Sequence, residues 1–191
     1  MYLIRKLYIL INRIRFKRVG IKYGREMRVC NYLYLLLKGK NNVVIGDGFA
    51  FSSGSGFNPL ARNIQGAIEL ERGAKLTIGN NVGISSSCLW VFEYLTIGND
   101  TKIGADCIIL DSDAHSLDYE LRMHSLTDRP NANKAGITIG NNVLIGTRCI
   151  ILKGVSIGDR TIIGSGSVVT KSIPADCIAA GNPCKIVKTL K

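Results

Sequence analysis

From Ile139 to Pro174 the chain repeats one six-residue phrase without a gap: IGNNVL, IGTRCI, ILKGVS, IGDRTI, IGSGSV, VTKSIP. An aliphatic residue opens every unit (Ile139, Ile145, Ile151, Ile157, Ile163, Val169), and Gly140, Gly146, Gly158 and Gly164 follow it. A helix, with its period of about 3.6, does not sustain a repeat of six, and neither does an ordinary flat strand. A solenoid does, with one short strand and one turn per unit and each aliphatic side chain stacked on its equivalent in the next coil. The glycines are expected to supply corner torsions that a Cβ would block. The phrase recurs upstream with interruptions: IGNDTK, IGADCI, ILDSDA from Ile97 to Ala114, IGNN and VGISSS around Ile78 to Ser87, and IGDG at Ile45 to Gly48. The expected fold is an all-β solenoid over residues 43–191.

A chain of 191 residues suits one such unit, because a solenoid grows its core along an axis. The 46% of hydrophobic residues are spread at six-residue intervals, and no run approaches the roughly 18 apolar residues of a spanning helix. The N-terminus mixes Arg5, Lys6, Arg13 and Arg15 into an apolar pattern without a small-residue cleavage site, so a cytoplasmic protein without a secretory signal is expected. Residues 1–40 hold eleven Lys and Arg against one acid, Glu26, and so carry +10 of the net +11. Leu3, Ile4, Leu7, Tyr8, Ile11 and Ile14 recur at three- and four-residue spacing, which makes 1–42 a basic, amphipathic and helical segment. Its apolar stripe either packs on the β-helix or lies on an anionic membrane surface. Nucleic acid is not the expected partner, since no aromatic-rich nucleic-acid module accompanies the charge.

The repeat stops after Ala114 and resumes at Ile137, leaving the polar excursion 111–136, which contains DSDAHSLDYELRMHSLTDRP. A rigid repetitive scaffold with one polar excursion holds special residues on that loop, so this is the candidate site. Both histidines, His115 and His124, lie in it. The six cysteines, Cys30, Cys88, Cys107, Cys149, Cys177 and Cys184, form no CxxC, and no metal site is expected. Cys107 and Cys149 fall at the fifth position of their hexapeptides, where a small filler is wanted.

These hexapeptides, together with DSDAHSLDYELR and IGSGSVVTKSIPADCIAAGNPCKIVK, resemble the hexapeptide-repeat acyltransferases, in particular the maltose, galactoside and capsular polysaccharide O-acetyltransferases. The first string is similar to their D-x-D-x-H-P-L-D segment, and the second to their closing I-G-A-G-S-V-V-T-K-D-I-P and G-x-P-A/C-[KR] stretch. The resemblance implies a left-handed parallel β-helix with three hexapeptides per coil, so that Ile97 to Ala114 supplies one coil, Ile139 to Pro174 two more and about Ile45 to Tyr94 one or two less regular ones, and a homotrimer with sites between subunits. It implies acetyl-CoA as donor and a sugar or surface-polysaccharide hydroxyl as acceptor. His115 matches the catalytic histidine, and Asp113, which breaks the fifth-position rule, is expected to orient it. A hydroxyl is almost fully protonated at neutral pH, so a base must take its proton as it attacks the thioester carbonyl. The developing oxyanion needs a preorganised donor, which by motif match is the amide of Thr147.

The same matching assigns Gly146, Thr147, Ser165 and Thr170 to the pantetheine groove and Lys185 and Lys188 to the nucleotide phosphates. Asp111 and Asp118 either cap turns or bind the acceptor's hydroxyls, Arg122 is placed to pair with an acidic group of the substrate, and Ser86 and Trp90 belong to the sugar-facing wall, unless Trp90 packs into the core. An amine acceptor on a nucleotide-linked sugar is the alternative. The γ-type carbonic anhydrase of the same fold needs three zinc-binding histidines, more than the two present. A non-catalytic scaffold would leave His115 and the closing motif without a purpose.

Overall fold

The computed structural model describes residues 2–39, 42–54 and 58–190. Helix α1, Tyr2–Arg18, precedes three parallel sheets that wrap one core. Every coil contributes one strand to each sheet, and six coils are complete among the described residues. The first runs Lys22–Tyr23, Arg28–Cys30, Tyr34–Leu37, and the second Asn42–Ile45, Ala50–Ser52, Ala67–Leu70. The third runs Lys75–Ile78, Gly83–Ser85, Cys88–Val91, and the fourth Tyr94–Ile97, Lys102–Ile103, Ile108–Leu110. The fifth is Ile137–Ile139, Leu144–Ile145, Ile150–Leu152, and the sixth Ser156–Ile157, Ile162–Ile163, Val168–Val169. The ladder thus begins at Lys22, inside the stretch that charge alone had set apart. Its first coil lacks the Ile-Gly phrase and fills its core with Met27, Val29 and Leu33 instead.

Registers stack equivalent residues of successive hexapeptides. Ile78, Ile97, Ile139 and Ile157 form one inward column, Ile84, Ile103, Ile145 and Ile163 a second, and Leu89, Ile109, Ile151 and Val169 a third. All are nearly or fully buried. Each such side chain contributes roughly 1.5–3 kcal/mol of burial, so the repeat itself is the core. The N-terminal end is covered by α1, whose Asn12 and Phe16 are buried on the first coil. At the other end Cys177–Ala180 continues one sheet, and Lys185–Thr189 closes it as an antiparallel edge.

Glycine at the second hexapeptide position has a reason different from the expected one. Positive φ falls two residues later, at Asn81, Asp100, Asn142, Arg148 and Arg160. Gly98 and its equivalents are needed because stacked corners come too close: a Cβ on Gly98 would sit 2.6 Å from the carbonyl carbon of Gly140. The residues after these glycines hold the corner together. Asn80 Oδ1 accepts from the Asp47 amide, Asn99 Oδ1 from Asn80, Asn141 Oδ1 from Asn99 and Asp159 Oδ1 from Asn141, at 2.7–2.9 Å.

Two excursions leave the regular path, at different corners of the triangular coil. Residues 53–66 depart between the second and third strands of the second coil. Residues 111–136 depart between the third strand of the fourth coil and the first strand of the fifth. They therefore lie along opposite edges of the third sheet.

Candidate functional site

The loop 111–136 is a folded structure with its own polar scaffold. It contains the short helices α2, Tyr119–Arg122, and α3, Ser125–Asp128, and is tied to the fifth coil by a Gly154 amide bond to Ala135 O at 2.8 Å. Asp118 caps α2 by accepting from the Glu120 amide at 2.9 Å. Arg122 Nη1 donates to Ser116 O at 2.6 Å and Leu117 O at 3.2 Å. For Asp118 this is the turn-forming alternative that the sequence left open, whereas Arg122, expected to meet an acidic substrate group, bonds the loop's own carbonyls.

At the centre of this scaffold His115 Nδ1 lies 2.6 Å from Asp128 Oδ2. The other carboxylate oxygen of Asp128 accepts from the Ser116 amide at 2.8 Å, so both oxygens are fixed. The hydrogen bond from His115, followed by that from Ser116, holds the Asp128 carboxyl below the usual range. An ionised acceptor at Nδ1 places the ring proton there and leaves Nε2 as the basic nitrogen. The His115 side chain is 58% exposed and that of Asp128 only 13%. The imidazole is thus oriented from behind and open in front, an arrangement that can take a proton from an incoming group and hold the charge.

This corrects the expected orienting acid. Asp113 pairs with Lys153 of the fifth coil and accepts from Asn133 Nδ2 at 3.2 Å, so its carboxylate pins the loop to the β-helix. It lies on the right loop but has other partners. Asp111 is also corrected as an acceptor contact: it is 1% exposed and accepts from the Phe92 and Glu93 amides at 2.6 and 2.8 Å. Burial raises its pKa against those two bonds. Ser86 is likewise removed from the outer wall, because it is buried and hydrogen-bonded to Ser52 O and the Gly54 amide. Trp90 faces outward, not into the core. Its ring sits 5.1 Å from Phe92, and Arg129, next to Asp128 on the loop, lies 6.0 Å from its centroid. His124 occupies the N-cap position of α3 without a side-chain capping bond.

Of the residues expected to line a donor groove, Gly146, Thr147 and Ser165 lie on the other edge of the third sheet, whereas Thr170 directly follows Val168–Val169 and lies on the edge of the His115 loop. Thr147, Ser165 and Gly166 line a groove of about 550 Å³ together with Pro59, Arg62 and Arg148. His115 is not among its lining residues. Gly146 is needed where the fifth coil meets the sixth, since a Cβ there would come 2.5 Å from the Ser165 amide nitrogen. The amides of Gly146 and Arg148 donate to Ile163 O and Ala105 O, while among the described residues no group of the chain accepts from the Thr147 amide between them. Thr170 is exposed on the corner that follows the sixth coil, and Lys185 and Lys188 are exposed on the closing strand. Cys107 and Cys149 are buried and donate to Gly146 O and Gly164 O at 3.0 and 3.2 Å. The contact with Cys149 and burial keep the Cys107 thiol protonated.

Residues 136–171 match the family model described as bacterial transferase hexapeptide (six repeats). The match covers the uninterrupted hexapeptides of the fifth and sixth coils. It is similar to the galactoside O-acetyltransferase of Escherichia coli K12, 37% identical over 119 residues, which are 62% of this chain and 56% of that enzyme. The chain thus spans little more than half the length of that relative. Among solved structures it superposes on AntD, an N-acyltransferase from Bacillus cereus crystallised with dTDP-4-amino-4,6-dideoxyglucose and coenzyme A. The TM-score is 0.69 at 17% identity, covering 94% of this chain and 89% of that one. A galactoside acetyltransferase in complex with coenzyme A superposes with a TM-score of 0.50 at 27% identity, over 76% of this chain and 66% of that one. The fold is the left-handed parallel β-helix. The sequence did not single out Asp128, Lys153 or Asn133. No motif marks them, and they meet their partners only through the folding of the loop.

Proposed function

We propose that this chain is an acetyl-CoA-dependent O-acetyltransferase acting on a sugar or surface-polysaccharide precursor. The observation that carries the reading is the 2.6 Å contact between His115 Nδ1 and a nearly buried Asp128 on an open loop. In the proposed reaction, His115 Nε2 removes the acceptor hydroxyl proton as its oxygen attacks the thioester carbonyl. Asp128 stabilises the imidazolium that forms. The C–S bond then breaks, and the imidazolium returns the proton to the departing thiolate. The Thr147 amide, which has no acceptor within the described chain, suits the oxyanion. Ser165 and Thr147 would flank the pantetheine, and Lys185 and Lys188 would meet the phosphates as point charges. Trp90, beside Arg129 of the loop, offers an indole face for a pyranose ring.

Homotrimeric assembly belongs to the same reading. His115 and the Thr147 groove lie along opposite edges of one sheet, so a base and a donor would meet only when one copy sets its loop against the groove of the next. The test is incubation with labelled acetyl-CoA and a panel of free sugars, amino sugars, nucleotide sugars and oligosaccharides, followed by mass spectrometry. An acetyl ester on a sugar hydroxyl is expected. A base-stable amide on an amino sugar would make the acceptor an amine, and an absence of both transfer and acetyl-CoA binding would refute the reading.

A further inference from the structure

Helix α1 has two faces of different fate. Asn12 and Phe16 are buried against the first coil, where the Asn12 amide donates to Val29 O at 3.0 Å and Asn31 O at 2.9 Å. On the other side Leu3, Ile4, Leu7, Leu10, Ile11 and Ile14 remain exposed, Leu3 at 82% and the rest between 39% and 59%. The stripe seen in the sequence therefore does not pack on the β-helix. At about 100° per residue these six aliphatic side chains form one continuous sector of roughly a third of the circumference. A contiguous apolar patch of this kind marks an interaction surface.

Its borders are cationic. On the same helical spacing Lys6, Arg13 and Lys17 follow one margin and Arg15 the other. The Arg15 guanidinium is held over the Tyr32 ring at 4.5 Å. Where the helix meets the first coil, a groove of about 430 Å³ brings Leu10 and Ile14 beside Arg13, Lys17 and Arg25, with Glu26 also on its wall. Arg13 is anchored by Met27 O at 3.0 Å and Arg25 by Asp47 at 2.9 Å, so two of these cations are preset.

We propose that α1 docks the protein on an anionic lipid surface, lying in the plane of the interface with the aliphatic sector in the acyl boundary and the flanking cations among the phosphates. Charge decides between this occupant and a second copy of the helix. Residues 2–18 contain six cations and no acid, and Glu26 is the first acid in the chain, so two stripes set face to face would concentrate positive charge without compensation. No helix among the described residues is long and apolar enough to cross a membrane, so the contact is lateral. The inference goes beyond the acyl-transfer reading and stands or falls without it.

The test uses the full chain in vesicle flotation. Vesicles of phosphatidylcholine alone are compared with vesicles containing about 30 mol% phosphatidylglycerol, at about 50 and about 500 mM salt. Binding is expected on the anionic vesicles at low salt, weaker by about tenfold or more at high salt or without the anionic lipid. The double variant Leu7→Ser, Leu10→Ser changes two exposed positions and should lose about tenfold or more of that binding, with its melting temperature and sedimentation coefficient unchanged. Lys17→Ala should weaken binding and flatten its salt dependence. Failure of the native chain to bind anionic vesicles at low salt overturns the proposal. So does undiminished binding by the double variant, and so does a smaller oligomer for that variant, which would assign the stripe to a contact between copies.

Discussion

A histidine that takes a proton becomes a cation, so what its other nitrogen touches decides how well it works. Here that contact is Asp128, whose second oxygen is fixed by the Ser116 amide. His115→Ala should lower kcat by roughly 10²- to 10⁴-fold with acetyl-CoA affinity nearly intact, since a general base acts on chemistry and not on donor binding. Asp128→Asn removes the carboxylate at nearly constant size and should cost about 10²-fold or more in kcat, while Asp113→Asn should cost far less. Steady-state kinetics on the three variants separate the two acids, and a larger loss for Asp113→Asn would return the orienting role to it. The same pair sets a pH dependence. Because the Asp128 carboxyl is lowered in the folded protein, its stabilisation is fully present above the ordinary value of about 3.9 and is lost as pH falls through its lower folded value. The hydrogen-exchange protection factor of the Ser116 amide, measured against its intrinsic rate at each pH, should therefore fall in that acidic window in the native chain. In Asp128→Ala, which leaves the Ser116 amide without that acceptor, protection should already be low at neutral pH, without that transition.

The coil is the element that makes the fold, and its second position tests why glycine is there. A Cβ on Gly98 would meet backbone of the next coil at 2.6 Å, and stacked backbone cannot yield as a side chain can. Gly98→Ala should destabilise by roughly 1–3 kcal/mol. Asp100→Gly, two residues on at φ 58°, should be close to neutral because glycine relieves the left-handed torsion. Thermal melts of both variants check the contrast, and equal losses would contradict it. The fourth to sixth coils were legible because their hexapeptides follow one another directly on each side of one loop. The first was not, since Met27, Val29 and Leu33 fill the same columns without the Ile-Gly phrase. In the second coil, residues 53–66 break the spacing between Phe51 and Ile68, which nonetheless occupy equivalent inward positions. The loop and His115 were legible as a polar break in an apolar rhythm. Asp128 was not, because thirteen residues separate it from His115 and only the fold of α2 and α3 closes that distance. Asp113 is nearer in sequence, and that proximity misled because Lys153 claims it.

At the scale of the molecule, a solenoid repeats its corners along an axis, so features on different corners stay apart however long it grows. The His115 loop follows one edge of the third sheet and the groove of Thr147 and Ser165 follows the other. A single copy cannot turn one toward the other without unwinding the coil between them, whereas rotation about a symmetry axis brings unlike edges of neighbouring copies together. This makes complementation between inactive chains the decisive measurement. His115→Ala lacks the base but keeps the groove. Ser165→Trp, at an exposed corner position, obstructs the groove but keeps the base. Each alone should form inactive trimers. Co-expressed in equal amounts and purified through two different tags, they should regain activity, because about a third of the junctions in the mixed trimers pair an intact His115 with an intact groove. Mixed trimers that form but remain as inactive as either parent would show that base and donor are used within one chain, and the shared-site arrangement would have to be abandoned.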